Sequence, residues 1–327
     1  MKLLKASLAF ILSIIMLCSM CICSVSAIQF SDGNFFYEID TSTNTATIVD
    51  YSSLNAELTI PEQIGGYIIT AIDDDAFSGN STLEVINFSE NISYIGDYAF
   101  ENCTALKEIT LPATVKSIGI SVFSGCTSLE TATVNIDDTT LPQGIFYNCS
   151  ALKKVNLSSS ITEYGDFAFY GCSSLTYAPS IENISDLGQS TFYQSGLTEI
   201  IIPNGVVEIH RNTFAYCSDL TSVFIPYTVN TISTSAFDSS NKINIYCYEN
   251  SDTHYYALQN SIDYTLFIYA DVNIDSMVNI KDATSIQKYV CGLIELDKFS
   301  ISIADVNYDN KVNVTDATKI QKYLIGK

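Results

Sequence analysis

The sequence predicts an elongated, mainly β solenoid that carries a small α-helical module at its C-terminal end. Three observations predict it. A phenylalanine returns at Phe77, Phe100, Phe123, Phe146, Phe169, Phe192, Phe214 and Phe237, in steps of 23 residues broken once by 22. A period of this length marks a stack of units, none of which can bury its apolar face alone. Around each Phe, apolar and polar positions alternate as in a strand with one buried face. After Asp271 the rhythm stops, and two twelve-residue segments rich in Asp and Asn take its place.

Residues 1–27 are set apart from the fold. Lys2 and Lys5 precede an apolar run from Leu8 to Leu17, and Val25-Ser26-Ala27 supplies a small-residue cleavage site. This reads as a secretory signal peptide, cleaved to leave no membrane insertion. A retained anchor is the competing reading, and the shortness of the run, with Ser13 and Ser19 in it, weighs against that. The mature chain has 13 basic against 36 acidic residues, and Arg211 is its only arginine. Such a surface excludes nucleic acid and anionic membrane as partners and offers carboxylates to cations.

Residues 28–60 form the expected N-terminal cap of a repeat domain spanning 28–267. The repeated phrase is clearest at 92–112, through Ile92, Ile95, Gly96, Ala99, Phe100, Cys103, Leu106, Ile109, Leu111 and Pro112. The Ile109-x-Leu111 pair predicts one strand per repeat and hence a long parallel sheet, with Pro112, Pro203 and Pro226 stopping strands where no ladder bond is lost. Apolar pairs eight and five residues before each Phe, such as Ile69 and Ile72 or Val206 and Ile209, predict a short bridge or tight turn on the far wall. The Ala-Phe segment predicts one further turn of helix. The copy at 133–146 departs from the phrase, with Asp138 at a far-wall aliphatic position and Leu141-Pro142 for Ile-Gly, which predicts an irregular loop there. Residues 244–267 read as the C-terminal cap.

Seven cysteines follow the leader. Cys103, Cys126, Cys149, Cys172 and Cys217 share one slot, three residues after the Phe, that Asn80, Ser195 and Ser240 fill in other copies. The register favours small, buried free thiols. Oxidative bridging of adjacent copies is the other reading for a secreted chain.

These eight copies resemble the BspA-like bacterial surface leucine-rich repeats, whose consensus runs close to I-G-x-x-A-F-x-x-C-x-x-L-x-x-I-x-L-P. The resemblance implies a right-handed leucine-rich-repeat superhelix with a parallel sheet. Its polar strand positions, from Glu84 and Asn87 through Glu108, Thr131, Lys154 and Glu199 to Ser222, then line one wall suited to a protein or glycan ligand. Ile201 and Phe224 place apolar side chains on that wall and are the expected contact patch. They also stand where they could simply pair with each other across two strands. His210 and His254 lie far apart with no regularly spaced acid and nucleophile, so no catalytic set is identified.

The C-terminal segments run Asp271, Asn273, Asp275, Met277, Asn279, Asp282 and Asp305, Asn307, Asp309, Lys311, Asn313, Asp316 at loop positions 1, 3, 5, 7, 9 and 12. These are the oxygen-ligand positions of an EF-hand calcium loop, with Met277 and Lys311 contributing main-chain carbonyls. The expected cofactor is two Ca2+ ions. Two features depart from the pattern: Ser276 and Asn310 replace the position-6 Gly, and Asp replaces Glu at position 12. A helix follows each loop, with Ile286 and Val290, and Ile320 and Leu324, four apart on one face.

Residues 268–327 resemble a type I dockerin of the ruminococcal style. The resemblance implies a small all-α, two-calcium module that binds a cohesin of a cellulosome scaffoldin. The cohesin-facing residues carried over are Ile280, Lys281, Lys288 and Tyr289 in the first copy, and Val314, Thr315, Lys322 and Tyr323 in the second. The chain is therefore expected to be a secreted, non-catalytic recognition protein, extracellular or held at the cell surface through a cellulosome. The alternative is a cellulosomal polysaccharide-degrading or peptidase-type component, which would require an active site that the residues do not reveal.

Overall fold

The computed structural model describes residues 29–326. Residues 1–27, expected from the sequence to be a signal peptide, lie outside the described residues. Among those described, no helix is long and apolar enough to cross a membrane.

The eight phenylalanines form one continuous ladder. Successive rings from Phe77 to Phe237 lie 4.9–5.9 Å apart and within 18° of parallel. Phe100, Phe123, Phe146, Phe169, Phe192 and Phe214 are wholly buried. The cysteine slot is buried beside them, and all of its thiols are free. Each one donates to the carbonyl oxygen of the Phe one repeat back: Cys103 to Phe77, Cys126 to Phe100, Cys149 to Phe123, Cys172 to Phe146 and Cys217 to Phe192, at 3.0–3.2 Å. Ser240 does the same to Phe214 at 2.7 Å. In these six copies the slot holds a small side chain that can donate, Cys or Ser, whereas Asn80 in the first copy accepts from the Thr82 and Leu83 N–H groups instead.

The Ala-Phe segment is a turn, not the expected turn of helix. In each of the first seven copies the residues two before and two after the Phe have positive φ, as at Tyr98 (56°) and Asn102 (55°) or Gly144 (61°) and Asn148 (56°). Left-handed residues at this interval interrupt any α-helix. The N–H groups of this segment reach the next copy instead, as in Asp75 to Asp97 O, Phe77 to Ala99 O and Gly79 to Glu101 O. The glycine of the phrase answers a different demand. A Cβ on Gly96 would stand 2.5 Å from the main-chain nitrogen of Asp74, so the backbone of the preceding copy leaves no room.

The far wall pairs in parallel from the six-residue strand Tyr67–Ile72 to the two-residue bridges Tyr94–Ile95 and Ser117–Ile118. It begins on the antiparallel cap hairpin Phe35–Asp40 and Thr45–Tyr51. It breaks before Thr140–Leu141, at the copy where Asp138 and Pro142 depart from the phrase. The strand wall is not the single sheet expected. One sheet runs from Glu57–Thr59 to Lys154–Leu157, and a second holds Glu199–Ile201, Ser222–Phe224, Asn244–Tyr248 and Asp263–Phe267. Between them the copy at 175–180 makes no strand. Pro179 has no N–H for a ladder, and Ser180, at φ 41°, starts a 3₁₀ turn over Ile181–Asn183.

Helix α1, Asp252–Asn260, links the last two strands and closes the solenoid, burying Tyr256 and Ala257 in its core. Three further helices follow: α2, Ile280–Val290; α3, Lys298–Ala304; and α4, Val314–Ile325. α2 and α4 pack together over a small core of Ala270, Val272, Ala283, Ile286, Ala304, Val306, Ala317 and Ile320. Val278 and Val312, from the interiors of the two loops, pack against it. α3 faces the solenoid.

Candidate functional site

The two Asp/Asn loops fold alike to the level of single hydrogen bonds. At position 1, Asp271 accepts from the Asp275 and Ser276 N–H groups at 3.1 and 2.8 Å, and Asp305 accepts from those of Asp309 and Asn310 at 3.1 and 2.9 Å. At position 12, Asp282 accepts from Asn273 and Asn279, and Asp316 from Asn307 and Asn313. Asn279 and Asn313 cap α2 and α4, and Asp282 and Asp316 return the bond from the third helical position, so each loop ends in a reciprocal capping box. Positions 4 and 6 are left-handed in both: Ile274 and Ser276 at 55° and 67°, Tyr308 and Asn310 at 63° and 60°. The chain takes the turn at position 6 without the glycine that usually makes it.

The donor chemistry fits a hard cation. Asp282 and Asp316 are fully buried, and Asp271 and Asp305 nearly so. Among the described residues, no Lys or Arg forms an ion pair with any of the six loop carboxylates. Burial is the first cause that pushes the Asp271 and Asp316 carboxyls above the usual range, and neighbouring loop carboxylates add to it, against the pull of main-chain N–H bonds. Gathering like charges out of water without a counter-charge is costly, and a divalent ion bound by oxygen would offset that cost. No three Asp, Glu, His or Cys side chains enclose a metal by themselves among the described residues. The remaining donors in the loop pattern are Asn amides and main-chain carbonyls.

The residues carried over as cohesin-facing are mostly open to solvent. Ile280, Lys281, Lys288, Val314, Thr315, Lys322 and Tyr323 are exposed, with Tyr323 edge-on to Tyr269. Tyr289 is half-buried and lines a cleft of about 570 Å³ between the module and the solenoid.

The wall patch needs correction. Ile201 and Phe224 do pair directly across neighbouring strands, in register with Tyr246 and Thr265. They do not form an open contact patch, because Phe224 is only 1% exposed. α3 covers it: Phe299 and Ile303 pack with Phe224, Tyr248 and Phe267, against partly buried Ile201, Tyr246 and Tyr269. Polar contacts frame this patch. Lys298 pairs with Glu199 at 2.6 Å and lies 5.5 Å from the centre of the Tyr177 ring, and Asn204 donates to the Asp305 carboxylate at 2.7 Å. Sequence reasoning missed Asn204, Lys298, Phe299 and Ile303, and placed Glu199 on an open ligand wall where the structure pairs it with Lys298. The available signal was a pair of unmatched apolar patches, one on the wall and one on Phe299-x-x-x-Ile303.

On the first sheet the polar wall stays open, from Glu84 to Asn156. Ion pairs join Lys107 to Glu84 and Lys153 to Glu130 one repeat apart, and Asn156 donates to Thr133. His210 sits half-exposed between Asp186 and Glu208, and His254, in the first turn of α1 behind the Ser251 cap, accepts from Asn250 N–H and lies beside Tyr264. These are separate surroundings, not one site.

Among known proteins, residues 70–195, 139–265 and 185–308 match the family described as BspA type leucine-rich repeat region. A leucine-rich cell surface protein from Faecalibacterium prausnitzii is similar at 21% identity, over 74% of this chain and 96% of that one, with a TM-score of 0.45. A leucine-rich repeat protein from Bacteroides ovatus is similar at 25% identity, over 65% and 66%, with a TM-score of 0.47. The leucine-rich repeat protein of T. pallidum is similar at 22% identity, over 51% and 89%, with a TM-score of 0.40. No curated protein matches the chain. With the matched repeats spanning well over half of its length, the chain belongs to the BspA-type leucine-rich-repeat family.

Proposed function

We propose that this is a secreted, non-catalytic recognition protein in which the repeat solenoid displays a binding wall and the C-terminal module docks it, through calcium, to a cohesin. The observation that carries the docking half is the duplicated loop: the same donor pattern over twelve positions, the same capping box and the same two left-handed positions, 34 residues apart. The oxygen set at each loop suits Ca2+ better than a softer metal. Exposed Ile280, Lys281, Val314 and Thr315 at the starts of α2 and α4 supply the surface for the partner. The display half rests on the open sheet between Glu84 and Asn156, a row of carboxylates, amides and hydroxyls suited to a protein or glycan ligand. Attachment to a cellulosome scaffold at the cell surface follows from the same reading.

The test is calcium-dependent capture. The mature chain should bind two Ca2+ per molecule in a calorimeter and should be retained by an immobilised cohesin in calcium but not in a chelator. Binding of fewer than two ions, or retention that ignores the chelator, would remove the dockerin reading and leave the repeat surface standing alone.

A further inference from the structure

The two loops share a sequence pattern and internal bonds, yet they stand in different surroundings. Among the described residues, no solenoid side chain hydrogen-bonds to loop one, and Ile274 at its position 4 is 47% exposed. Loop two lies against the solenoid. The clefts on either side of the seam are lined by Asp305, Tyr308, Asn310 and Val312, and by no residue of loop one. The closest tie is Asn204, whose amide donates to Asp305 Oδ2 across 101 residues of sequence.

We infer that Asn204, a solenoid residue, positions the first calcium ligand of loop two, so that filling this loop tightens the docking of the module on the solenoid. The inference rests on the calcium reading above. Asp305 is held on one oxygen by Asp309 N–H and on the other by Asn310 N–H and Asn204. Bonds of this kind fix a ligating carboxylate in orientation, and their loss weakens metal binding by about 10–100-fold. A neutral amide suits the role because it brings no positive charge to compete with the ion. Asn204 is itself held, half-buried and directly after Pro203 at the end of the Glu199–Ile201 strand. Asp271 has only the main-chain donors of its own loop. If the solenoid strengthens calcium binding at loop two, calcium at loop two must strengthen contact with the solenoid by the same factor.

Calcium titration of the mature chain by calorimetry, beside Asn204→Ala, tests the inference. The substitution should weaken one of the two sites about tenfold and leave the other within about twofold. Hydrogen exchange of the α3 amides gives a second reading. Calcium should slow exchange there in the wild type and in Asp271→Asn, and should do so far less in Asn204→Ala and Asp305→Asn. Two unchanged sites in Asn204→Ala would overturn the inference, as would equal weakening of both. A wild-type chain that binds no calcium would overturn both the inference and the calcium reading beneath it.

Discussion

The solenoid and the C-terminal module solve the problem of stability in opposite ways. The solenoid is redundant: each copy adds the same ring, the same thiol or hydroxyl and the same bridge, and each leans on two neighbours. The module has no such reserve. Of the eight fully buried hydrophobic residues in its core, four are alanines. A core of that size contributes too little to fold so short a segment by itself. What it has instead is two charge-dense loops and a seat on the Phe224 patch. The contrast teaches where each half is vulnerable, the module to ligands and the solenoid to packing.

Removing calcium should be the most damaging change and should fall on the module alone. At calcium 1,000-fold above Kd, each site contributes about 4 kcal/mol. A chelator should abolish a low-temperature transition in scanning calorimetry and leave the β-sheet dichroism unchanged; a single unshifted transition would erase the contrast. Next comes Phe146→Ala, in the middle of the ladder, expected to cost about 3–5 kcal/mol in urea denaturation with calcium binding intact. Phe224→Ser should be intermediate, weakening the seat of α3 by roughly 2–3 kcal/mol. Limited proteolysis near residues 267–271 should speed up severalfold while the solenoid's melting temperature moves little.

The mildest single change falls in the thiol slot. Cys149→Ser keeps a donor for the Phe123 carbonyl and should cost about 1 kcal/mol, whereas Cys149→Val leaves that oxygen unpaired and should cost about 1–3 kcal/mol more in the same assay. The slot also sets an alkaline limit. Burial pushes the Cys217 thiol up to about 11, against a bond from Ser195 that lowers it, and raises Cys149 further. A raised folded pKa favours the protonated form, so this stability is complete below about pH 9 and is lost as pH climbs toward 11 and beyond. Melting temperatures across that range should fall less steeply for Cys149→Ser than for the wild type.

Much of the solenoid was legible because its signals are local and repeated. The ladder, the caps, the buried thiols and the irregular copy at Asp138 and Pro142 all stand in the sequence at fixed offsets. The turn at each Phe was misread as helix, although Gly79, Asn102, Gly125, Asn148 and Gly171, two residues after it, are residue types that favour positive φ. The missing strand was written in Pro179 and Ser180, and the good match at Leu175 and Ala178 hid it. The seam between the two halves was not legible. Asn204 and Asp305 meet across 101 residues, and no periodicity announces such a contact. The same distance hid the partner of Phe224, whose exposure was inferred from strand alternation alone.

The gap in the strand wall at 175–180 has a mechanical consequence. The module packs on the second sheet and reaches the strandless copy through Lys298 over Tyr177, and the open polar wall lies on the first sheet. A pull between an anchored module and a ligand on that wall must therefore cross a line where the two sheets share no hydrogen bonds. The ring stack passes that line unbroken, from Phe146 through Phe169 to Phe192. Tension is carried there by packed aromatic faces, by the turn ladder beside them and by the far-wall bridge of Glu163–Tyr164 on Asp186–Leu187, which makes the ladder the keel of the molecule and the strand wall its jointed deck.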